Sequence, residues 1–244
     1  MGWLTNMLGR GLSSWRSARG LDSLAARKEE HPSDANAAEL FGRPGRKFLH
    51  VGCGPARKPN VAACFLSDDW QEIRLDIDPA AGPDILCSML DMAPVPSASV
   101  DAVYSSHNIE HLYPHEVGIA LAEFFRVLKP DGLLVLTCPD LQSVCRLVAA
   151  DRLTETAYTA PVGPIAPLDI LYGYRPQLAE GKLFMAHRTG FTLRTLVEVV
   201  RTAGFRSVAG RSRDNLFDLW IVASKALLPE IEIRRLSETH LPPQ

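Results

Sequence analysis

The sequence predicts an α/β fold built on a sheet of mostly parallel strands, and three observations predict it. From Lys47 onward, short apolar runs of strand length alternate with segments of helical periodicity, the signature of strand–helix crossovers. The first run passes straight into Gly52-Cys53-Gly54, and the next, about twenty residues later, ends in Asp76, so a glycine turn and an acid occupy the tips of two successive strands. Finally, 46% hydrophobic and 22% charged residues, with 17 Gly and 18 Pro, describe a folded chain rather than a disordered or fibrous one.

Taken in order, Lys47 to Val51 reads as a short buried strand, Glu72 to Leu75 as a second, Ile85 to Met89 as a third and Val100 to Ser105 as a fourth. Val117, Ala120, Leu121, Phe124, Phe125 and Leu128 then recur at i, i+3, i+4, i+7, which predicts one amphipathic helix packed on the sheet. Lys129-Pro130-Asp131-Gly132 is expected to turn that helix into a fifth strand, Leu133 to Thr137. A helix through Leu141, Val144, Cys145 and Val148 follows. The stretch 154–190 is rich in Pro, Gly and Tyr with little periodicity, and reads as a substrate-side insertion. Leu193 to Thr202 is a helix stopped at Ala203-Gly204, and Phe205 to Ala209 and Leu219 to Ala223 are two closing strands. The domain division expected is 1–40 as an amphipathic helix and linker, 41–225 as the catalytic unit, and 226–244 as a polar tail that frays.

In the first segment Trp3, Leu4, Met7, Leu8, Leu12 and Trp15 fall on one helical stripe with Arg10, Arg16 and Arg19 between them. Such a basic amphipathic helix over residues 1–19 offers a contact to an anionic membrane surface or a partner; capping of the catalytic unit competes with that reading. No apolar run approaches the roughly 18 residues of a membrane span. Five cysteines, an odd number without zinc-ribbon or C-x-x-C spacing, are expected as reduced core thiols of a cytoplasmic protein. A net charge of −2 argues against a nucleic-acid partner.

Glycines let a backbone pass close to a ligand, and an acid at the neighbouring strand tip accepts hydrogen bonds from ribose hydroxyls. Pro55-Ala56-Arg57-Lys58 stands where a dinucleotide fingerprint would carry its third glycine. That disfavours a nicotinamide oxidoreductase, because a ligand without a pyrophosphate needs less of a glycine cradle.

Phe48 to Pro55 resembles the first motif of class I S-adenosylmethionine-dependent methyltransferases, and Asp76-Ile77-Asp78 resembles the acidic tip of their second strand. Pro94 to Tyr104, Asn108-Ile109-Glu110-His111, Glu123 to Leu134 and Met185 to Thr192 are similar, in order, to further segments of the type 11, small-molecule branch. The resemblance runs from Phe48 to Ala223. It implies a Rossmann-like, seven-stranded, mostly parallel sheet with the last strand antiparallel and helices on both faces, and S-adenosylmethionine as cofactor. Carried over residue by residue, Gly52, Cys53 and Gly54 would receive the methionyl part, Asp76 the ribose hydroxyls, Ser88 and Met89 the adenine, and Ser106 and His107 the methyl end. Ser88 departs from the acid usual at its position, so Asp91 is the alternative adenine partner. The activity implied is methyl transfer to a small-molecule, glycan or lipid-precursor acceptor; a methyltransferase-like scaffold without turnover is the rival.

The sulfonium leaving group is already activated, so a base is needed only where the acceptor must lose a proton. His107 is the first candidate for that role and His187 the second, from the opposite wall, since an imidazole titrates near neutrality. Glu110 and His111 are expected instead to satisfy free backbone groups of the turn after the fourth strand. His107-Asn108-Ile109-Glu110-His111 also matches the zinc pattern H-x-x-E-H, in which both histidines share one helical face. With a strand before it and Pro114 just beyond, that helix is not expected and no metal site is predicted; His115 would be the third ligand if one formed. The nucleic-acid amine-methylation motifs N-P-P-Y and D-P-P-Y are absent from Ser105-Ser106-His107-Asn108.

Overall fold

Central strands buried on both faces must be apolar throughout, and this requirement sets the architecture. A computed structural model describes residues 39–243, so the expected amphipathic helix over 1–19 and most of the linker lie outside the described residues. β1 (Arg46–Val51), β2 (Trp70–Asp76), β3 (Ile85–Leu86), β4 (Val100–Ser106), β5 (Leu128–Pro139), β8 (Ser207–Arg213) and β9 (Asp218–Ser224) form one seven-stranded sheet in the order β3-β2-β1-β4-β5-β9-β8. All neighbours from β3 to β5 pair in parallel, and β9 runs antiparallel to both β5 and β8. Phe48, Leu49, Val51, Val103 and Leu134 to Leu136 are fully buried, as strands covered on both faces require.

One face is covered by α1 (Pro114–Val127) and α5 (Leu193–Thr202). In α1 the predicted stripe Val117, Ala120, Leu121, Phe124 is buried, Pro114 opens the helix, and Glu116 accepts a hydrogen bond from the Tyr113 N–H at 2.8 Å. The opposite face gathers Phe48, Phe65, Trp70, Tyr104, Val135 and Val222. α2 (Leu141–Ala149), the hairpin β6 (Tyr158–Ala160) and β7 (Gly163–Ile165), and the short helices α3 (Pro167–Tyr172) and α4 (Arg175–Ala179) form a smaller layer on Val144, Ile165 and Ile170. The segment expected as an insertion is therefore structured. Among the described residues, no helix is long and apolar enough to cross a membrane, and all five cysteines are free thiols.

Three expectations are corrected. The strand expected over Ile85 to Met89 pairs only at Ile85–Leu86; at the sheet edge the chain leaves β3 in a turn where Ser88 Oγ accepts the Leu90 N–H. The turn expected at Lys129 to Gly132 is an irregular first half of β5, since Leu128 already pairs with Val100 before the register shifts. Asp101 holds that irregularity by accepting from Lys129 Nζ at 2.8 Å and from the Lys47 N–H at 2.8 Å.

The third correction concerns the tail. Residues expected to fray form α6 (Glu230–His240), which packs against β8, and Leu241 beyond it is buried in the second core. Its charged sequence hides that role, because only Leu236 and Leu241 are apolar contacts to the sheet face. Leu241→Ala is expected to lower stability by about 2–5 kcal/mol, the range for a buried leucine truncation. A thermal melt of the variant checks it; an unchanged midpoint would mean that the segment is dispensable.

Candidate functional site

The carboxyl ends of β1, β2 and β4 converge on a cavity of about 470 Å³, within the range of small-molecule sites. Gly52 and Gly54 line it where β1 ends, Asp76 where β2 ends, and Ser106 and His107 where β4 ends. Parallel pairing of these strands places their tips side by side, so the site follows from the sheet topology.

Each glycine of the turn has a separate reason. Gly52 has φ +62°, and a Cβ there would stand 2.0 Å from Asn108 Oδ1. Asn108 cannot yield, because its Nδ2 donates to Val51 O at 3.0 Å and to Ser106 O at 2.9 Å, tying β1 to β4. Gly54 has φ +50° and nothing within 4 Å of its missing Cβ, which leaves the backbone open to a ligand. Gly52→Ala is expected to break the turn and weaken S-adenosylhomocysteine binding at least about tenfold, since the left-handed backbone alone costs of order 1 kcal/mol before the clash is counted. Calorimetry on the purified variant reads this directly; native affinity would show that the turn tolerates a side chain.

Asp76 is the hinge between the two loops. Its Oδ2 accepts the Gly54 N–H at 2.7 Å and its Oδ1 the Asp78 N–H at 2.8 Å, so one carboxylate braces the glycine turn against the tip of β2. Arg74, buried two residues earlier, reinforces the brace. Its guanidinium donates to Gly54 O at 2.6 Å, Ala56 O at 3.2 Å and Ala81 O at 3.0 Å, pinning both loops from below. Sequence reasoning missed this role; an arginine set between the apolar Ile73 and Leu75 near the strand's end was the available signal.

Ser88 and Met89 line the cavity, whereas Asp91, the alternative adenine partner, is not on its wall and accepts instead from the Ala93 N–H. Cys53 is not on the wall either. Its side chain is buried in the core and its thiol is pushed up to about 11, first by burial and further by Asp76 and Glu72, with Arg74 acting in opposition. Only the Cys53 backbone belongs to the turn, its N–H donating to Leu75 O at 3.1 Å.

His107 sits at the methyl end with φ +54°, an uncommon backbone for a residue other than glycine. Its Nδ1 lies 3.3 Å from Glu110 Oε1. Desolvation works against a charged imidazole here, but the Glu110 carboxylate outweighs it and holds His107 above its ordinary value. His187, expected on the opposite wall, lies instead behind His111, their rings edge to face with centroids 5.0 Å apart, and lines a separate cavity of about 20 Å³. Burial holds its imidazole below the ordinary value, with Glu110 partly offsetting.

The turn carrying Glu110 and the segment 186–189 are zipped together. The Arg188 and Thr189 N–H groups donate to Glu110 O at 2.8 and 3.2 Å, and His111 Nδ1 donates to Ala186 O at 3.2 Å. His111 thus satisfies a backbone group, though one of the insertion rather than of its own turn. Glu110 does so only through its main chain: its carboxylate is 1% exposed, and neither oxygen has a hydrogen-bond partner among the described residues. Of the insertion's aromatics, Phe184 reaches the cavity; Tyr158 stacks on Phe217, Tyr174 donates to Val162 O, and Tyr172 is exposed. Gln177, Lys182, Met185 and Arg188, which the sequence did not single out, complete that wall.

Residues 49–136 match the sequence family described as a methyltransferase domain. A protein of Mycolicibacterium smegmatis described as a probable S-adenosylmethionine-dependent methyltransferase is 33% identical over 102 residues, covering 39% of this chain and 39% of that protein. Among solved structures, an O-methyltransferase family protein from Burkholderia thailandensis shares the fold with a TM-score of 0.50 at 13% identity, over 79% of this chain and 55% of that one. A SAM-dependent methyltransferase from Archaeoglobus fulgidus aligns with a TM-score of 0.48 at 15% identity, over 78% of this chain and 91% of that one. The glycine turn, Asp76 and the His107 turn all lie inside the residues that match the methyltransferase-domain family, so the matched segment contains the strand tips that line the cavity.

Proposed function

We propose that the protein transfers a methyl group from S-adenosylmethionine to a small-molecule, glycan or lipid-precursor acceptor. One observation carries the reading: a single cavity runs from the Gly54 turn, hydrogen-bonded to Asp76 at 2.7 Å, to His107 and the insertion. The open space over Gly54 and the carboxylate on the wall suit a nucleoside with an extended amino-acid arm. Asp76 would hold the ribose hydroxyls, Gly52 and Gly54 the methionyl part, and Met89 with Ser88 the adenine. When bound, the sulfonium supplies a methyl group already attached to a good leaving group.

The chain's own work is alignment, exclusion of water and removal of one proton. Phe184 and Met185 close the acceptor side with apolar surface, while Gln177, Lys182 and Arg188 offer polar and cationic contacts, which suits an acceptor bearing hydroxyl or acidic groups. His107 is the proton acceptor in this reading. The carboxylate 3.3 Å behind it strengthens its basicity. His187 lies too far back to share the role. No nucleic-acid acceptor is proposed, in keeping with the net charge of −2.

Calorimetry with S-adenosylmethionine and S-adenosylhomocysteine, followed by transfer of label from methyl-labelled cofactor into fractionated small-molecule and lipid extracts, tests the proposal. Saturable binding with label in an extract fraction supports it. Absence of heat with both ligands would reject cofactor use, and binding without label in any fraction would favour the scaffold reading.

A further inference from the structure

Behind His107 lies a cluster of which methyl transfer as described above uses only Glu110, as the support of His107. Glu110 and His111 stand on the 3₁₀ turn Ile109–His111, and His187 comes from the insertion. One ring nitrogen of each histidine and one Glu110 oxygen all lie within 4.8 Å of one another. The hydrogen bonds around them decide where the protons are. His111 Nδ1 faces Ala186 O at 3.2 Å and His187 Nδ1 faces Ile170 O at 2.7 Å. A carbonyl oxygen only accepts, so both Nδ1 atoms carry hydrogen, and Nε2 of each ring keeps its lone pair.

The result is a group of acceptors made of one buried carboxylate and two half-buried rings. Neither Glu110 oxygen receives a hydrogen bond from the described residues. His107, 3.3 Å from Oε1, is near enough for an ion pair but answers one oxygen only. A single water donates two hydrogens, too few for two carboxylate oxygens and two imidazole lone pairs. With His107 facing only one of its oxygens, the buried carboxylate keeps an unanswered acceptor, and a cation would answer that oxygen and both imidazole lone pairs at once.

We infer that Glu110, His111 and His187 bind a divalent transition-metal ion of borderline softness, with Zn²⁺ as the reference case. Two neutral imidazoles and one carboxylate suit such an ion, where Mg²⁺ and Ca²⁺ prefer oxygen alone. The Nδ1–H bonds to main-chain carbonyls are the outer support that orients metal-binding histidines. Glu110 and His187 line the cavity of about 20 Å³, room for one small ion or water, and His111 also lines the large cavity, so the ion's open positions face the acceptor end. The H-x-x-E-H pattern thus supplies Glu110 and His111 in place of its two histidines: the fold replaces His107 with His187, which no helical spacing encodes.

Protein stripped with a chelator would be titrated with Zn²⁺ by calorimetry, and Co²⁺ loading followed by visible absorption. The expected result is one ion per chain and a Co²⁺ band of low coordination number. Affinity should fall at least about tenfold in His187→Gln and Glu110→Gln and stay unchanged in His115→Gln, an exposed ring outside the cluster. If circular dichroism shows either ligand variant unfolded, His111→Gln takes its place. No binding, or equal binding in wild type and ligand variants, would overturn the site and leave the cluster holding water. S-adenosylhomocysteine titrated into the stripped protein separates the two readings: intact nucleoside binding without zinc binding rejects the metal site alone, and the reverse rejects the methyl-transfer reading alone.

Discussion

Asp76→Ala is expected to abolish measurable binding of S-adenosylmethionine and S-adenosylhomocysteine, a loss of about a hundredfold or more. Two effects combine. The carboxylate is an acceptor on the cavity wall suited to a ribose diol, and hydrogen bonds to a charged group contribute about 1.5–3 kcal/mol each. The same carboxylate accepts the Gly54 and Asp78 N–H groups, so its removal also frees the turn against which the ligand would lie. Asp76→Asn separates the effects: it keeps the volume but turns an NH₂ toward one of those donors, and it too should lose at least about tenfold, for want of one charge-assisted bond. Isothermal titration of both variants, with circular dichroism to confirm folding, measures them. Wild-type affinity in Asp76→Ala would remove the nucleoside from this end of the cavity.

His107→Gln is expected to lower kcat by about a hundredfold or more while leaving cofactor affinity within a few-fold, because a positioned general base contributes about 10² to 10⁴. The argument is geometric first. His107 stands on the cavity wall at the tip of β4, half exposed to the space an acceptor would enter, and a carboxylate supports its ring from behind. Glutamine preserves a polar side chain but cannot take a proton at neutral pH. Single-turnover transfer with an acceptor identified from labelled extract reads the step without product release. An unchanged rate would show that the acceptor arrives already deprotonated or loses its proton elsewhere.

How much of this was legible before folding differs by element. β1, α1, α2 and α5 were readable because their burial is decided locally: Phe48 to Val51 is apolar but for His50, and Val117, Ala120, Leu121 and Phe124 keep helical spacing. The glycine turn and Asp76 were readable because each sits at the end of such a strand. α6 was not, since Glu230–His240 is mostly charged and its fold rests on Leu236 and Leu241 meeting a distant sheet face. Cys53 was misplaced for a related reason. A turn of two glycines gives its backbone to the cavity, but nothing in the residue order says that the side chain between them points into the core.

The residue order by itself determined the alternation of strand and helix, and with it which strand tips carry glycine, aspartate and histidine, because hydrophobic periodicity and turn chemistry act over a few neighbouring residues. Only the tertiary structure decided that His187 joins Glu110 and His111, that Arg74 binds two loops from below, and that Phe184 rather than Tyr158 meets the cavity. Those contacts join residues far apart along the chain, and their geometry comes from how the insertion settles on the sheet, a balance of packing and hydrogen bonding that no local pattern records.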